Sequence, residues 1–189
     1  MSDQIRMHIL PGGKIPVRQT DGAIGFDVYL RAIVSATEMD QRNKNFRKTL
    51  FDFNMIVEQE AAQHVHAIED GELVYRMDPG ESVLVGIGFV TEMKFPMFYW
   101  VAPRSGLASK YGITVTNAPG TVDPDYRGEA GVLVYNRNEK HFDLRRNTRI
   151  AQIVFQRAII PRIEEVVKLE ILDPTLRGSG GFGSTGLVG

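Results

Sequence analysis

Short apolar runs, separated by glycine and proline, dominate the pattern of hydrophobic and polar positions along this chain. The runs are rich in Val, Ile, Phe and Tyr, and turn signals such as Asp78-Pro79-Gly80 and Ala118-Pro119-Gly120 interrupt them. They predict strands at residues 7–10, 25–34, 82–90, 97–101, 113–116, 129–135 and 150–157. Many short strands of this kind favour an all-β fold, as a sandwich, jelly roll or barrel.

One stretch departs from the strand pattern. In residues 55–68 the apolar Val57, Ala61, Val65 and Ile68 recur at helical spacing, and the Asp-Gly pair that follows supplies a stop signal, so we expect an amphipathic helix. The preceding residues, 40–53, mix basic and aromatic side chains. Such mixing can bind nucleic acid, but a solvated face whose aromatic rings pack onto the barrel or onto another subunit is the favoured interpretation.

Composition excludes several classes of protein. The chain has 189 residues, no cysteine and a formal net charge of -1. Disulfides, cysteine-based zinc sites, iron–sulfur clusters and a cysteine nucleophile are therefore impossible, and the charge argues against general nucleic-acid binding. Residues 1–10 lack the basic start and long apolar core that are typical of a signal peptide, and no apolar run approaches the roughly 18 residues of a membrane span. We expect no membrane or nucleic-acid partner, and a cytoplasmic location (host cytoplasm for a viral protein).

Residues 103–108 form a candidate anion site. A strand ends at the proline, and a short helix is predicted to begin at Ser105. The helix amides, the Ser105 hydroxyl and the Arg104 guanidinium would then converge on one point. Serine is also an ordinary helix-capping residue, and on this segment alone capping is the favoured interpretation.

Residues 117–129 connect two predicted strands, which is consistent with a hairpin. Hairpin backbone edges can read a nucleobase through main-chain hydrogen bonds, and a carboxylate held beside them can act as a general base. Asp123 and Asp125 are the carboxylates available. Taken alone, the segment fits aspartates that serve only as turn residues.

Two strand positions and the C-terminal segment complete the candidate chemistry. Asp27 lies in an apolar strand, so its carboxylate requires a partner, either a basic residue or metal-bound water. Gln152 can donate to a phosphate oxygen or cap a sheet edge. Residues 177–189 are glycine-rich and predicted to be a mobile tail, with an arginine, an aromatic ring and hydroxyls that would suit a lid over phosphate.

Together and in order, these segments resemble the five motifs of the trimeric dUTPase family. The motifs are Gly25-Phe26-Asp27-Val28, Pro103-Arg104-Ser105-Gly106, residues 120–129, Arg149-Ile150-Ala151-Gln152 and residues 177–186. The resemblance covers nearly the whole chain except residues 38–76, which we call the insert. It implies a jelly-roll-like β-barrel (a β-clip) over residues 1–176 with a partly helical insert, a flexible C-terminal arm over 177–189, and a homotrimer with shared active sites.

The resemblance also implies Mg²⁺-dependent hydrolysis of dUTP to dUMP and pyrophosphate, which keeps uracil out of DNA and supplies dUMP for dTMP synthesis. Asp123 corresponds to the general base, Tyr126 to the residue under the deoxyribose that rejects a 2′-hydroxyl, and Asn117 to a nucleoside contact. Asp27 corresponds to the carboxylate that holds water on Mg²⁺. The positions that match triphosphate contacts are Arg104, Ser105, Gly106 and Gln152. In the arm, Phe182 is expected to stack on uracil, while Arg177, Ser184 and Thr185 grip the terminal phosphate.

Two alternatives stay open. A dCTP deaminase shares the fold, but it resembles this chain less well because residues 131–135 contain no glutamate and the glycine-rich arm is present. The other alternative adds a regulatory or partner-binding role, through the insert, to dUTP hydrolysis. The histidines match no family site; His64 and His66 would diverge on a helix and are expected to be surface or packing residues.

Overall fold

The computed structural model describes residues 4–55 and 57–180. Contacts divide the chain into two units, Met1–Ala158 and Ile159–Gly189. The strands, all in the first unit, are β1 (Arg6–Ile9), β2 (Phe26–Tyr29), β3 (Ala32–Met39), β4 (Arg47–Phe51), β5 (Val65–Ala67), β6 (Leu73–Met77), β7 (Ser82–Gly86), β8 (Phe89–Glu92), β9 (Met97–Ala102), β10 (Ile113–Val115), β11 (Gly120–Val122), β12 (Gly131–Asn136), β13 (Phe142–Leu144) and β14 (Arg149–Arg157). Helix α1 spans Ser105–Tyr111, and short 3-10 helices span Gln59–His64 and Leu169–Ile171.

The strands pair into four antiparallel sheets. Their orders are β10-β12-β7-β3-β4, β11-β9-β14-β2, β13-β6-β5 and β1-β8. The predicted all-β, jelly-roll-like fold is confirmed, although the pairings of the described residues do not close into one ring. Every predicted strand region contains a strand, and regions 25–34 and 82–90 each break into two. In the second of these, the break falls at Gly88, whose φ of +76° glycine adopts without strain.

A single hydrophobic core fills the first unit, and the insert contributes to it. Tyr99, Phe89 and Leu30 are among the largest fully buried side chains, and Phe51 of the insert is buried equally deeply. Phe53 of the insert joins the same cluster. Burial of one such aromatic side chain contributes about 1.5–3 kcal/mol. The insert is therefore built into the core of the barrel-like unit.

The helix predicted over residues 55–68 is wrong. Among the residues described in this stretch, the chain forms the 3-10 helix Gln59–His64 and then enters β5, which pairs with β6. Asp70 and Gly71 make the hairpin turn between these strands: the Gly71 amide donates to the Ile68 carbonyl at 2.8 Å, and Gly71 has a φ of +82°. An Asp-Gly pair favours tight hairpins as well as helix ends. Here it forms the hairpin turn because β5 pairs with β6.

Helix α1 begins at Ser105 as predicted and ends at Gly112, which adopts the left-handed conformation with a φ of +66°. Among the residues described, none of the helices has the length and apolar character needed to cross a bilayer. In the second unit, apolar side chains such as Ile159, Ile163 and Leu176 are exposed. Residues 181–189, and with them the predicted contacts of Phe182, Ser184 and Thr185, lie outside the described residues.

Candidate active site

Asn117, Asp123 and Tyr126 line one cavity of about 400 Å³. Its walls come from the 117–126 segment, from β7 and β12 through Leu84 and Leu133, and from the insert through Arg47. Asp123 and Asn117 are exposed, so their polar groups are open to a ligand. The cavity combines an apolar wall with one carboxylate, one amide and one guanidinium, a composition typical of a site for a small polar molecule.

The segment that carries Asp123 is more than a hairpin turn. Strands β10 and β12 pair as a hairpin would, but the connection between them contains β11, which joins β9 in another sheet. After β11 the chain turns tightly: the Tyr126 amide donates to the Asp123 carbonyl at 3.3 Å, and the Tyr126 hydroxyl donates to the Glu129 carbonyl at 3.1 Å. Gly128 is required here because a Cβ at that position would collide with the Tyr126 ring.

A buried ion pair anchors the C-terminal end of this loop. The Glu129 carboxylate, 1% exposed, accepts hydrogen bonds from Arg31 Nε at 2.8 Å and Arg31 Nη2 at 2.7 Å. It also accepts from the Gly88 amide at 2.9 Å. The backbone amide of Glu129 donates to the carbonyl of Asn45, an insert residue, at 3.1 Å. The insert and the body thus both hold the loop in place.

Beneath the loop, Val122 of β11 lies opposite Tyr99 of β9. Burial raises the pKa of the Tyr99 phenol well above its ordinary value. Tyr99 is therefore a neutral packing group beneath the cavity rather than an acid or base.

A second polar cluster surrounds Asp27. The Asp27 carboxylate, 7% exposed, accepts from Arg104 Nε at 3.0 Å and from Arg149 Nη1 at 3.2 Å. Of the two partners predicted for Asp27, the basic residue is the one observed. Gln152 lies opposite Asp27 in the sheet and donates through Nε2 to the Pro103 carbonyl at 3.0 Å.

Ser105 and Gly106 open α1 directly after Arg104, so they lie beside this cluster, and both are exposed. The residues of the predicted anion site thus lie together as a group of polar residues at the end of β9, with Arg104 paired to Asp27. We call it the Asp27 cluster.

Within one chain, Asp123 and the Asp27 cluster lie toward opposite ends of β9. Gln152 lies opposite both Asp27 and Ala102, whereas β11 leads to Asp123 past Tyr99, toward the other end of the strand. Asp123 follows Val122 and so stands about four residues along β9 from Ala102, roughly 13 Å at about 3.3 Å per residue, and Asp27 lies two strands across from β9. Arg177 belongs to the second unit, where its Nε donates to the Gly180 carbonyl at 2.8 Å.

Three residues that contribute to the two candidate site groups were not predicted from the sequence. Arg149 was part of a motif but had no assigned role, and its contact with Asp27 follows from the pairing of β14 with β2. Glu129, the last residue of the third motif, likewise had no assigned role. Arg47 belonged to a basic stretch with no local sign of a site, because its place on the cavity wall depends on a long-range pairing of β4 with β3.

Comparison with known proteins identifies the family. The family model described as dUTPase matches residues 70–186. The deoxyuridine 5′-triphosphate nucleotidohydrolase of Heliobacterium modesticaldum is 39% identical over 182 residues, covering 96% of this chain and 94% of that protein. This chain belongs to the dUTPase family. The deoxyuridine 5′-triphosphate nucleotidohydrolase of Nautilia profundicola is 46% identical over 123 residues, covering 65% of this chain and 81% of that protein.

Solved dUTPase structures share the fold. Staphylococcus bacteriophage 80alpha dUTPase with dUPNHPP superposes with a TM-score of 0.65 at 16% identity, covering 98% of this chain and 100% of that one. The dUTPase from Streptococcus mutans gives 0.56 at 16% identity, covering 82% and 98%. Because the Heliobacterium alignment spans 182 residues, it includes most of the insert, so the insert has a counterpart in at least one dUTPase relative.

Proposed function

We propose that this chain hydrolyses dUTP to dUMP and pyrophosphate, with Mg²⁺ accompanying the triphosphate. The activity would keep uracil out of DNA and supply dUMP for dTMP synthesis. The observation that carries the proposal is the cavity shared by Asn117, Asp123 and Tyr126 in a member of the dUTPase family.

Asp123 is the proposed general base. A water oxygen attacks the α-phosphorus, Asp123 takes a proton from that water, and the bond from the α-phosphorus to the bridging oxygen breaks, so pyrophosphate leaves with the electron pair. The nucleoside would occupy the cavity against Tyr126, whose ring would exclude a 2′-hydroxyl. Asn117 would contact the nucleoside beside it. In this arrangement the base would lie next to the reacting phosphorus, where orientation contributes most.

The Asp27 cluster is the proposed triphosphate site. Arg104, Ser105, Gly106 and Gln152 supply a cation, a hydroxyl, a helix amide and a side-chain amide to phosphate oxygens. Both Asp27 oxygens already accept from arginines, so we assign Asp27 to hold a water of the metal rather than the metal itself. This donor set fits Mg²⁺, which keeps several waters and takes ligands from substrate phosphates. When bound, Mg²⁺ would neutralise charge that develops on the phosphates.

The separation of the two groups supports a homotrimer with shared sites. A triphosphate bound at the Asp27 cluster of one chain leaves its α-phosphorus far from Asp123 of the same chain, since the two lie at opposite ends of β9. An adjacent copy that presents its Asp123 cavity to this cluster would complete the site. We assign Arg177, Phe182, Ser184 and Thr185 to an arm that closes over the nucleotide.

Deamination of dCTP is the weaker alternative. Strand β12 carries no acidic residue, and it presents Gly131 and Leu133 to the cavity, so Asp123 is the carboxylate available among the described residues that line it. An assay of pyrophosphate and of ammonia with dUTP, dCTP, dTTP and UTP, with and without Mg²⁺, tests the proposal. We expect pyrophosphate from dUTP, dependent on Mg²⁺, and no ammonia. Ammonia release from dCTP, or equal turnover of UTP, would contradict it.

A further inference from the structure

Three of the four histidines meet at a cavity that plays no part in the proposed nucleotide site. This cavity, of about 430 Å³, is lined by Gln63, His64, His66, Arg76, Asp78 and His141. The sequence predicted that His64 and His66 diverge on a helix. They converge because His64 ends the 3-10 helix and His66 lies in β5.

Polar atoms at this cavity lie close to one another and to the neighbouring Glu81. His64 Nδ1 lies 3.7 Å from Glu81 Oε2, and His141 Nδ1 lies 2.9 Å from Asp78 Oδ1. One ligand atom each from His64, Asp78 and Glu81 all lie within 4.8 Å of one another. We call these four residues the histidine cluster. The Arg76 carbonyl oxygen, 3.1 Å from His64 Nδ1, adds another acceptor.

Neighbouring groups orient the two most buried members. The His64 ring stacks on Tyr75 with centroids 4.9 Å apart, and the Tyr75 hydroxyl donates to Glu81 Oε1 at 2.9 Å. The backbone amide of Asp78 donates to Glu81 Oε2 at 2.7 Å. Gln63 Nε2 lies 3.1 Å from His64 Nε2, where the amide can donate to the ring. His64 Nδ1 faces the Arg76 carbonyl and Glu81 Oε2, so a metal ion at Nδ1 would replace the proton held there. Such support fixes metal ligands in place.

The cation that lines the cavity is turned to a different partner. Arg76 donates through Nε and Nη2 to Asp143 at 2.7 and 2.9 Å. Its guanidinium charge is therefore matched by Asp143, and the carboxylates of the histidine cluster keep their negative charge for another cation.

We propose that the histidine cluster binds a divalent transition metal ion of the Zn²⁺ class. His64, Asp78 and Glu81 are the ligands, and His141 reaches the fourth position by rotation of its side chain. Ligand atoms around a tetrahedral Zn²⁺ stand about 3.3 Å apart, so small side-chain rotations close the observed spacing. A mixed imidazole and carboxylate set suits Zn²⁺, Co²⁺ or Ni²⁺, whereas Mg²⁺ prefers oxygen ligands alone.

The ion would connect the insert to the body. His64 belongs to the insert, Asp78 and Glu81 form the turn before β7, and His141 lies between β12 and β13. Metal binding to the folded state alone raises its stability, so Zn²⁺ would stabilise the attachment of the insert.

Equilibrium dialysis of metal-stripped protein against Zn²⁺, with Mg²⁺ at millimolar concentration and no nucleotide, tests the site. We expect one Zn²⁺ per chain and a raised thermal unfolding midpoint. His64→Gln and Asp78→Asn should each weaken Zn²⁺ binding at least ten-fold. His8→Gln, which changes the exposed histidine of β1, should bind as the parent does.

Co²⁺ in place of Zn²⁺ supplies a second readout, since a four-coordinate ion gives strong visible absorption that His64→Gln should abolish. Asp78 is largely exposed, so Asp78→Asn reports on binding even if His64→Gln fails to fold. The proposal is overturned if the parent binds no Zn²⁺, or if Asp78→Asn and His141→Gln both bind it as tightly as His8→Gln does. None of these measurements depends on dUTP hydrolysis, so the two proposals stand or fall separately.

Discussion

At the scale of single residues, the sharpest contrast is between Asp123 and Asp125. They stand in the same loop and both are exposed, yet Asp123 lines the cavity with Asn117 and Tyr126 and Asp125 does not. Local turn propensity treats the two carboxylates alike. Their different surroundings make them a matched pair for testing the proposed base.

Asp123→Asn should retain nucleotide binding and lose turnover by about 10²- to 10⁴-fold, the usual contribution of a general base. Binding is measured with a non-hydrolysable dUTP analogue and turnover by pyrophosphate release. Asp125→Asn is the control and should keep near-normal turnover. Equal loss of turnover in both variants would remove Asp123 from the role.

Glu129 gives a residue-scale prediction about stability. Glu129→Gln keeps the shape but leaves Arg31 buried without a carboxylate, which should lower the free energy of unfolding by about 3 kcal/mol. The exposed pair Arg6–Glu92 offers the comparison: Glu92→Gln should change it by less than about 1 kcal/mol. Urea unfolding measures both. Equal effects would show that burial of Glu129 adds nothing.

Asp143 carries a pH prediction. The hydrogen bonds and charge of Arg76 hold the pKa of Asp143 below its ordinary value in the folded state. Its contribution to stability is therefore present above the unfolded-state pKa and is lost as the pH falls through the lowered folded-state pKa. At neutral pH the wild-type protein should have a higher urea midpoint of unfolding than Asp143→Asn. The difference between the two midpoints should shrink in strong acid. A gap that stays constant with pH would contradict this.

At the scale of elements, the insert shows what sequence patterns can and cannot predict. The seven predicted strand regions rest on local alternation and turn residues, and all contain strands. The helix prediction over residues 55–68 failed because the spacing of Ala61, Val65 and Ile68 suits two structures. It fits one face of a helix, and it also fits a 3-10 helix that leads into a strand. The pairing of β5 with β6 favours the strand, and a short stretch of sequence does not reveal which strands will pair.

Arg47 is the element-scale test of the insert. Its Nη1 donates to the Ala36 carbonyl at 2.9 Å, which holds the guanidinium at the cavity wall. Arg47→Ala should raise the KM for dUTP about ten-fold, the worth of one hydrogen bond to a charged group, with little change in kcat. Lys48→Ala, next in sequence but paired with Glu38 and Glu58, should leave KM unchanged. Identical kinetics in the two variants would place Arg47 outside the nucleoside site.

At the scale of the whole molecule, strand β9 separates the two groups of candidate site residues within one chain. Sequence resemblance assigns the residues of both groups to one active site, but it does not reveal that β9 separates the Asp27 cluster from Asp123 within one chain. That distance depends on strand register, which side-chain chemistry alone does not reveal. Assembly is the step that would unite them.

Mixed oligomers test that assembly. Asp123→Asn and Arg104→Ala should each be nearly inactive alone, while equal amounts refolded together should recover about a quarter of wild-type activity, the share of sites that combine two intact halves at random. Pyrophosphate release measures the recovery, and size-exclusion chromatography confirms that both variants assemble. Sites built within one chain would show no recovery on mixing.

The position of Arg47 on the cavity wall has a bearing on inhibitor selectivity. The Nautilia enzyme aligns with 65% of this chain, whereas the Heliobacterium enzyme aligns with 96%. A nucleoside analogue extended by an acidic group toward Arg47 would gain a contact in enzymes that have a counterpart of β4. In enzymes without β4, the same acidic group would face solvent. Discrimination between otherwise similar dUTPases would then come from the insert, while the catalytic loop stays common to them.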